Sequence, residues 1–184
     1  MSFEIILATI YFFTPAYIAN AIPPLLHKLN FAPQLATPID NDKMYRGRAI
    51  FGTHKTWRGA IGIFITGTLL ILLFFEINKI IHLYEIISFS SLKWNPFIFG
   101  ALFSLGIIIG DLLFAFIKRQ IRLNPGAPFI PFDQTNYVFG VYFILEPFIH
   151  LGLFIWLVIF IQSFIIHSVF NRIGYCLGLH NAKW

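Results

Sequence analysis

Charge is what this chain has least of. Asp, Glu, Lys and Arg make up 11% of its 184 residues, where a soluble domain carries about 25%. Cysteine is nearly absent too: the single Cys176 excludes an internal disulfide and any cysteine-built metal site. No segment repeats at a period of roughly 20–50 residues and no low-complexity tract occurs, which excludes solenoids and biased tails. The six histidines, at 27, 54, 82, 150, 167 and 180, never fall four residues apart, so a helical zinc pair is not encoded. No Ser-His-Asp grouping is visible either.

What remains is apolar. Hydrophobic residues are 58% of the chain and aromatics 18%, the composition of an integral membrane protein. The expected fold class is all-α: a polytopic membrane protein with five transmembrane helices, four being possible, forming one domain over residues 1–184. A hydrocarbon core of about 30 Å takes about 20 apolar residues in a helix. On that scale spans are expected at about 3–26, 59–81, 97–117, 132–145 and 149–170. The first is broken by Pro15 and Pro23-Pro24. The apolar stretch 137–170 is too long for one crossing, and a turn near Glu146-Pro147 divides it. Glu4 and the lack of a basic leader mark the first segment as a retained span.

Five crossings with the 27–58 loop in the cytoplasm put Lys28, Lys43, Arg46, Arg48, Lys55, Arg58, Lys118, Arg119, Arg122, Arg172 and Lys183 on that side. Only Lys79 and Lys93 fall on the other, as the positive-inside rule requires. The expected location is the cell membrane, with the active site facing the cytoplasm. A net charge of +5 spread among apolar spans suits anionic lipid and phosphate, and no nucleic acid.

Asp111 stands out. It lies in the run Phe97–Ile117, otherwise free of charge, where an ionisable group costs about 2.5–3.5 kcal/mol on insertion scales and usually serves a function. Lys118-Arg119, Pro125-Gly126 and Asp133-Gln134 follow. Mg²⁺ takes one or two carboxylates with substrate phosphates and water, so Asp111 and Asp133 could share an ion if the loop between them folds back. Lys118, two helical turns after Asp111, can share its face, and Arg119 offers forked donors to phosphate. The structural alternative is snorkelling basic residues, with Asp111 paired to Lys118. In the first loop, Gly52-Thr53-His54-Lys55-Thr56-Trp57-Arg58-Gly59 precedes a span. It reads either as a phosphate cradle at a helix N-terminus, with Lys55, Thr56 and Arg58 as donors, or as plain interface anchoring. Asn20 could bond a freed carbonyl or a lipid headgroup. Asp40 could extend the acidic site or cap a turn.

The order Asn20-x-x-Pro23, Pro38-x-Asp40, Gly52-x-x-Lys55-Thr56-Trp57-Arg58-Gly59, Gly110-Asp111, Lys118-Arg119, Pro125-Gly126, Asp133-Gln134 resembles the CDP-archaeol synthases, relatives of the CDP-diglyceride synthetases. The likeness extends through Asn171 and Gly178-Leu179 to Trp184. The resemblance implies a cytidylyltransferase: CTP and a membrane lipid phosphate give CDP-lipid and pyrophosphate, with Mg²⁺. The lipid would be an archaeal ether-lipid phosphate or phosphatidate. It also implies that Asp111 and Asp133 hold metal and, with Lys118, act in catalysis. Lys55, Arg58, Lys118 and Arg119 would bind phosphates, and Asn20, Thr56 and Gln134 would complete the substrate site. Two positions depart from the family pattern: Ala115 replaces a common Ser, and Asn136 replaces the second Asp of Asp-Gln-x-Asp. The site thus has one fewer acidic group. A reading from another class is a non-catalytic lipid-binding or transport protein derived from the same family.

Overall fold

The computed structural model describes residues 3–81, 94–123 and 127–176; Pro125-Gly126 and the Gly178–Trp184 tail lie outside them. The chain is helical, as expected. Helix α1, Phe3–Asn20, stops at Ala21, and α2, Ile22–Lys28, restarts with Pro23 and Pro24 in its first turn, where a missing N–H leaves no bond unmade. Helix α3 is Trp57–Ile81, α4 Pro96–Gln120, α5 Phe132–Ile149 and α6 Leu153–Cys176. The polar loop before α3 carries a small antiparallel hairpin. Its strands β1, Met44–Tyr45, and β2, Arg48–Ala49, pair Met44 with Ala49 and Tyr45 with Arg48. Arg46 and Gly47 turn it, both at positive φ, as a two-residue hairpin turn requires.

Four segments are long and apolar enough to cross a membrane: Phe3–Lys28, Trp57–Lys79, Pro96–Gln120 and Leu153–Ile173. Helix α5 falls short by composition, because Asp133, Gln134, Thr135 and Asn136 fill its first turn and Glu146 sits near its end. Its 18 residues still run about 27 Å at 1.5 Å per residue. The surface is that of a membrane protein. Ile61, Ile65, Leu69 and Leu73 form an exposed stripe on α3, and Phe154, Leu157, Ile161 and Ile165 another on α6. Such stripes would drive aggregation in water but suit lipid.

The interior is aromatic. Phe13 of α1 stacks on Tyr137 of α5 at 5.9 Å and meets Phe103 of α4 and Trp156 of α6 edge-on. Helices α4 and α5 approach backbone to backbone. A Cβ on Gly106 would lie 2.7 Å from Val141 Cα, and Gly110 and Gly140 are packed more tightly still, Gly110 against the Asn136 carbonyl. Small residues at four-residue spacing allow this close crossing. It sets Asp111 beside Asn136.

The α5–α6 turn comes three residues later than Glu146-Pro147 suggests. Pro147 is tolerated in the last turn of α5, and the Glu146 carboxylate accepts from Leu151 N, Gly152 N and Trp156 Nε1, which stitches the turn at His150–Gly152.

Candidate active site

Helix ends bring the chemistry together. The last turns of α4 supply Asp111, Lys118 and Arg119, the first turn of α5 supplies Asp133 and Asn136, and the loop before α3 supplies Gly52 to Lys55. All of these line one cavity of about 160 Å³, with Phe51 and Ala115 completing the wall. Two ion pairs cross it. Lys55 Nζ donates to Asp111 Oδ1 at 2.6 Å, and Lys118 Nζ to both oxygens of Asp133 at 2.8 Å. The pairing expected under pure snorkelling, Asp111 with Lys118, is not the one formed. The Phe129 backbone N–H also donates to Asp133, and Asn136 Nδ2 donates to Asp111 Oδ1 at 3.1 Å.

A second, smaller cavity of about 60 Å³ shares His54, Lys55 and Asp111 with the first and adds Pro23, Thr56 and Gly59. Here Thr56 serves the backbone: its Oγ1 accepts from Gly59 N at 3.3 Å, three residues on, as an N-cap does. Arg58 does not line either cavity. It is buried and its Nη1 donates to the Phe31 carbonyl at 3.2 Å, tying the start of α3 to the segment that follows α2. Gln134 is buried, and its Oε1 has no hydrogen-bond partner among the described residues. Asn20 lines a separate cavity of about 420 Å³ between α1, α5 and α6, with Tyr17, Tyr137, His167 and Asn171. The structure thus gathers Lys55, Asp111, Lys118, Arg119 and Asp133, and sets Asn20 and Arg58 apart.

Asp40 caps the loop before α3. It accepts from Asp42 N, Phe51 N and Gly52 N, holding the loop whose far end carries Lys55. Burial pushes its carboxyl up, but the N–H groups of Phe51, Gly52 and Asp42 together outweigh burial, and its pKa lies below the ordinary value. Arg48 reaches from β2 to the Gln120 carbonyl, which fastens the hairpin to the end of α4.

The donor set suits a hard divalent cation. Two carboxylates, Asp111 and Asp133, line one cavity together. Mg²⁺ asks for such a partial set, completed by water and phosphate oxygens. Asn136, named in the sequence only as a missing acid, proves to be a direct partner of Asp111. The glycines behind it follow a pattern legible in the sequence, Gly106-x-x-x-Gly110.

Known proteins resemble this chain over nearly its whole length. The family model CarS-like, CDP-archaeol synthase, matches residues 2–184. The CDP-archaeol synthase of Pyrococcus furiosus is 33% identical over 180 residues, covering 97% of this chain and 98% of that protein. That of Pyrococcus abyssi is 31% identical over 175 residues, covering 95% of each, and that of Methanococcus aeolicus 29% over 177 residues, covering 94% and 93%. Among solved structures, an intramembrane enzyme for archaeal membrane lipid biosynthesis shares the fold. Its TM-score is 0.67 at 22% identity, over 90% of this chain and 94% of that one.

Proposed function

This chain belongs to the CDP-archaeol synthase family of CTP-dependent membrane cytidylyltransferases, and from that premise we propose that the cavity between α4 and α5 transfers CMP from CTP to an archaeal ether-lipid phosphate. The observation that carries the reading is the pair of Lys–Asp contacts, Lys55–Asp111 and Lys118–Asp133, facing one cavity. Each lysine has a carboxylate partner now and an obvious phosphate partner when nucleotide enters. Phosphatidate is the competing substrate, since the headgroup chemistry is the same and only the tails differ.

The reaction needs no strong base. A phosphomonoester has its second pKa at about 6, so near neutrality the lipid phosphate is already an anionic nucleophile. One of its oxygens bonds to the α-phosphorus of CTP, the bond from that phosphorus to the α–β bridging oxygen breaks, and pyrophosphate leaves with the electron pair. The protein's task is to bring two polyanions together and to stabilise the charge that develops. Lys55, Lys118 and Arg119 neutralise phosphate oxygens. Asp111 and Asp133 would hold Mg²⁺, which supplies Lewis-acid stabilisation of the phosphoryl oxygens and the leaving group. Gly52 and Thr53 lie on the wall of the cavity.

The membrane geometry supports a cytoplasmic site. Lys28, Lys43, Arg46, Arg48, Lys55, Arg58, Lys118, Arg119 and Arg122 gather in the segments at the cavity end, whereas Lys79 sits near the other end of α3, paired with Glu76. By the positive-inside rule this distribution supports a cavity that opens to the cytoplasm, where CTP is found.

The test is direct. Purified protein in detergent is given CTP, Mg²⁺ and either an archaeal ether-lipid phosphate or phosphatidate, and CDP-lipid is sought by mass. The reading expects product with the ether lipid in excess of the diacyl lipid. Equal turnover of both would remove the tail assignment. No product with either, from folded protein, would sink the catalytic reading.

A further inference from the structure

The Asp111 carboxylate is held from one side. Its Oδ1 accepts two hydrogen bonds, from Lys55 Nζ at 2.6 Å and from Asn136 Nδ2 at 3.1 Å, while Oδ2 has no hydrogen-bond partner among the described residues. Asn136 is itself fixed. It is 7% exposed, its Oδ1 accepts from Tyr137 N at 2.6 Å, and its backbone carbonyl lies against Gly110 at the α4–α5 crossing. With Oδ1 on a backbone donor, the amide can turn only its NH₂ toward Asp111, and a carboxylate accepts but never donates. An ionised aspartate at position 136 could not donate this hydrogen bond to Asp111.

The two partners of Oδ1 differ in freedom. Lys55 lies in a loop, and its flexible ammonium is needed for phosphate when nucleotide binds. Asn136 lies on a helix that the glycine crossing pins against α4, so it stays. We infer that Asn136 is the positioning residue of Asp111: it grips Oδ1 so that Oδ2 is presented to the cavity, and it keeps that orientation after Lys55 has moved to a phosphate. This rests on the reading of Asp111 as a metal-holding group in the proposed function. Partners of this kind typically change metal affinity about 10- to 100-fold when removed.

The experiment uses the full chain in detergent, with Mn²⁺ standing in for Mg²⁺, titrated in the presence of CTP and followed by electron paramagnetic resonance. Asn136→Leu keeps the side-chain volume and removes the donor. Mn²⁺ affinity should fall about 10- to 100-fold, while the melting temperature of the ligand-free protein stays near that of the wild type, because Lys55 still pairs with Asp111. A second measurement separates positioning from packing. In an Asp111→Asn background, Asn136→Leu should lower Mn²⁺ affinity little further, since a residue acting through Asp111 has nothing left to position. Should the leucine variant fail to fold, Asn136→Ala takes the same two readouts. Unchanged affinity in the single variant, or an equal loss in both backgrounds, overturns the inference. Wild-type protein that binds no Mn²⁺ with CTP would instead bring down the metal-site reading itself, and this inference with it.

Discussion

Replacing Lys118 by Met should pull two affinities in opposite directions. The ammonium lies 2.8 Å from both oxygens of Asp133, with 13% of the lysine side chain and 32% of the aspartate side chain exposed. Methionine keeps the apolar stem and removes the charge. Loss of one charge-assisted contact to a phosphate is worth about 1.5–3 kcal/mol, so CTP should bind about 10- to 150-fold more weakly. Divalent cation without nucleotide should behave the other way. In the ligand-free protein it must displace Lys118 from Asp133, and a pair as exposed as this one contributes about 1 kcal/mol. Removing the competitor should therefore tighten Mn²⁺ binding about fivefold. Isothermal titration with CTP and a resonance titration with Mn²⁺ alone measure the two. Unchanged CTP affinity would leave Lys118 as a membrane-surface anchor only. Weaker Mn²⁺ binding would mean that Asp133 is not the group both cations seek.

Three further outcomes follow from the geometry. Arg58→Ala leaves the Phe31 carbonyl without its partner, so stability should fall by about 1–3 kcal/mol while CTP affinity changes less than about threefold. Thermal melts beside CTP titrations check it, and a large loss of affinity would return Arg58 to the phosphates. Gly110→Ala forces α4 off the Asn136 carbonyl; overpacking of this kind costs about 1–3 kcal/mol, and turnover should fall with stability. A fully active, fully stable Gly110→Ala protein would contradict the close crossing. Asp40 has a lowered pKa in the folded protein, so its contribution is present above the ordinary carboxylate value of about 3.9 and is lost as pH falls through the lowered one. Protection of the Phe51 and Gly52 amides from hydrogen exchange, taken relative to the intrinsic rate at each pH, should therefore hold down to about pH 4 and fall only below it. Loss of protection already between about pH 5 and 6 would point to another group.

The sequence makes the membrane class, the helical architecture and the acidic and basic members of the cavity legible, because hydropathy and charge are local properties. Asp111 announces itself by sitting charged in an apolar run, and Lys118 by its helical phase. Partnership is different. That Lys55 meets Asp111 and Lys118 meets Asp133 depends on how a 25-residue helix is set against its neighbours, and the glycine crossing that decides this lies among residues with no chemistry of their own. The same holds for Thr56, Arg58 and Asp40, where polar side chains near a phosphate-like motif turn out to serve the backbone as cap, tie and loop anchor. Asn136 reads in sequence as a lost acid, and only its contact with Asp111 gives it a task. The hairpin at Met44–Ala49 is short, and its turn signal, Arg46-Gly47, is weak beside the basic residues around it. The late end of α5 reflects Glu146, which caps the turn from within the helix instead of breaking it.

Transfer at the α-phosphorus is the centre of the account, and the label follows it most directly. Purified protein, Mg²⁺ and ether-lipid phosphate are incubated with CTP carrying ³²P either at the α or at the γ position, and lipid is extracted. The account predicts α-label in the lipid fraction, γ-label in pyrophosphate, and neither transfer in Asp111→Asn or Asp133→Asn protein that still folds. γ-Label in the lipid, or α-label transfer undiminished in both variants, would contradict it.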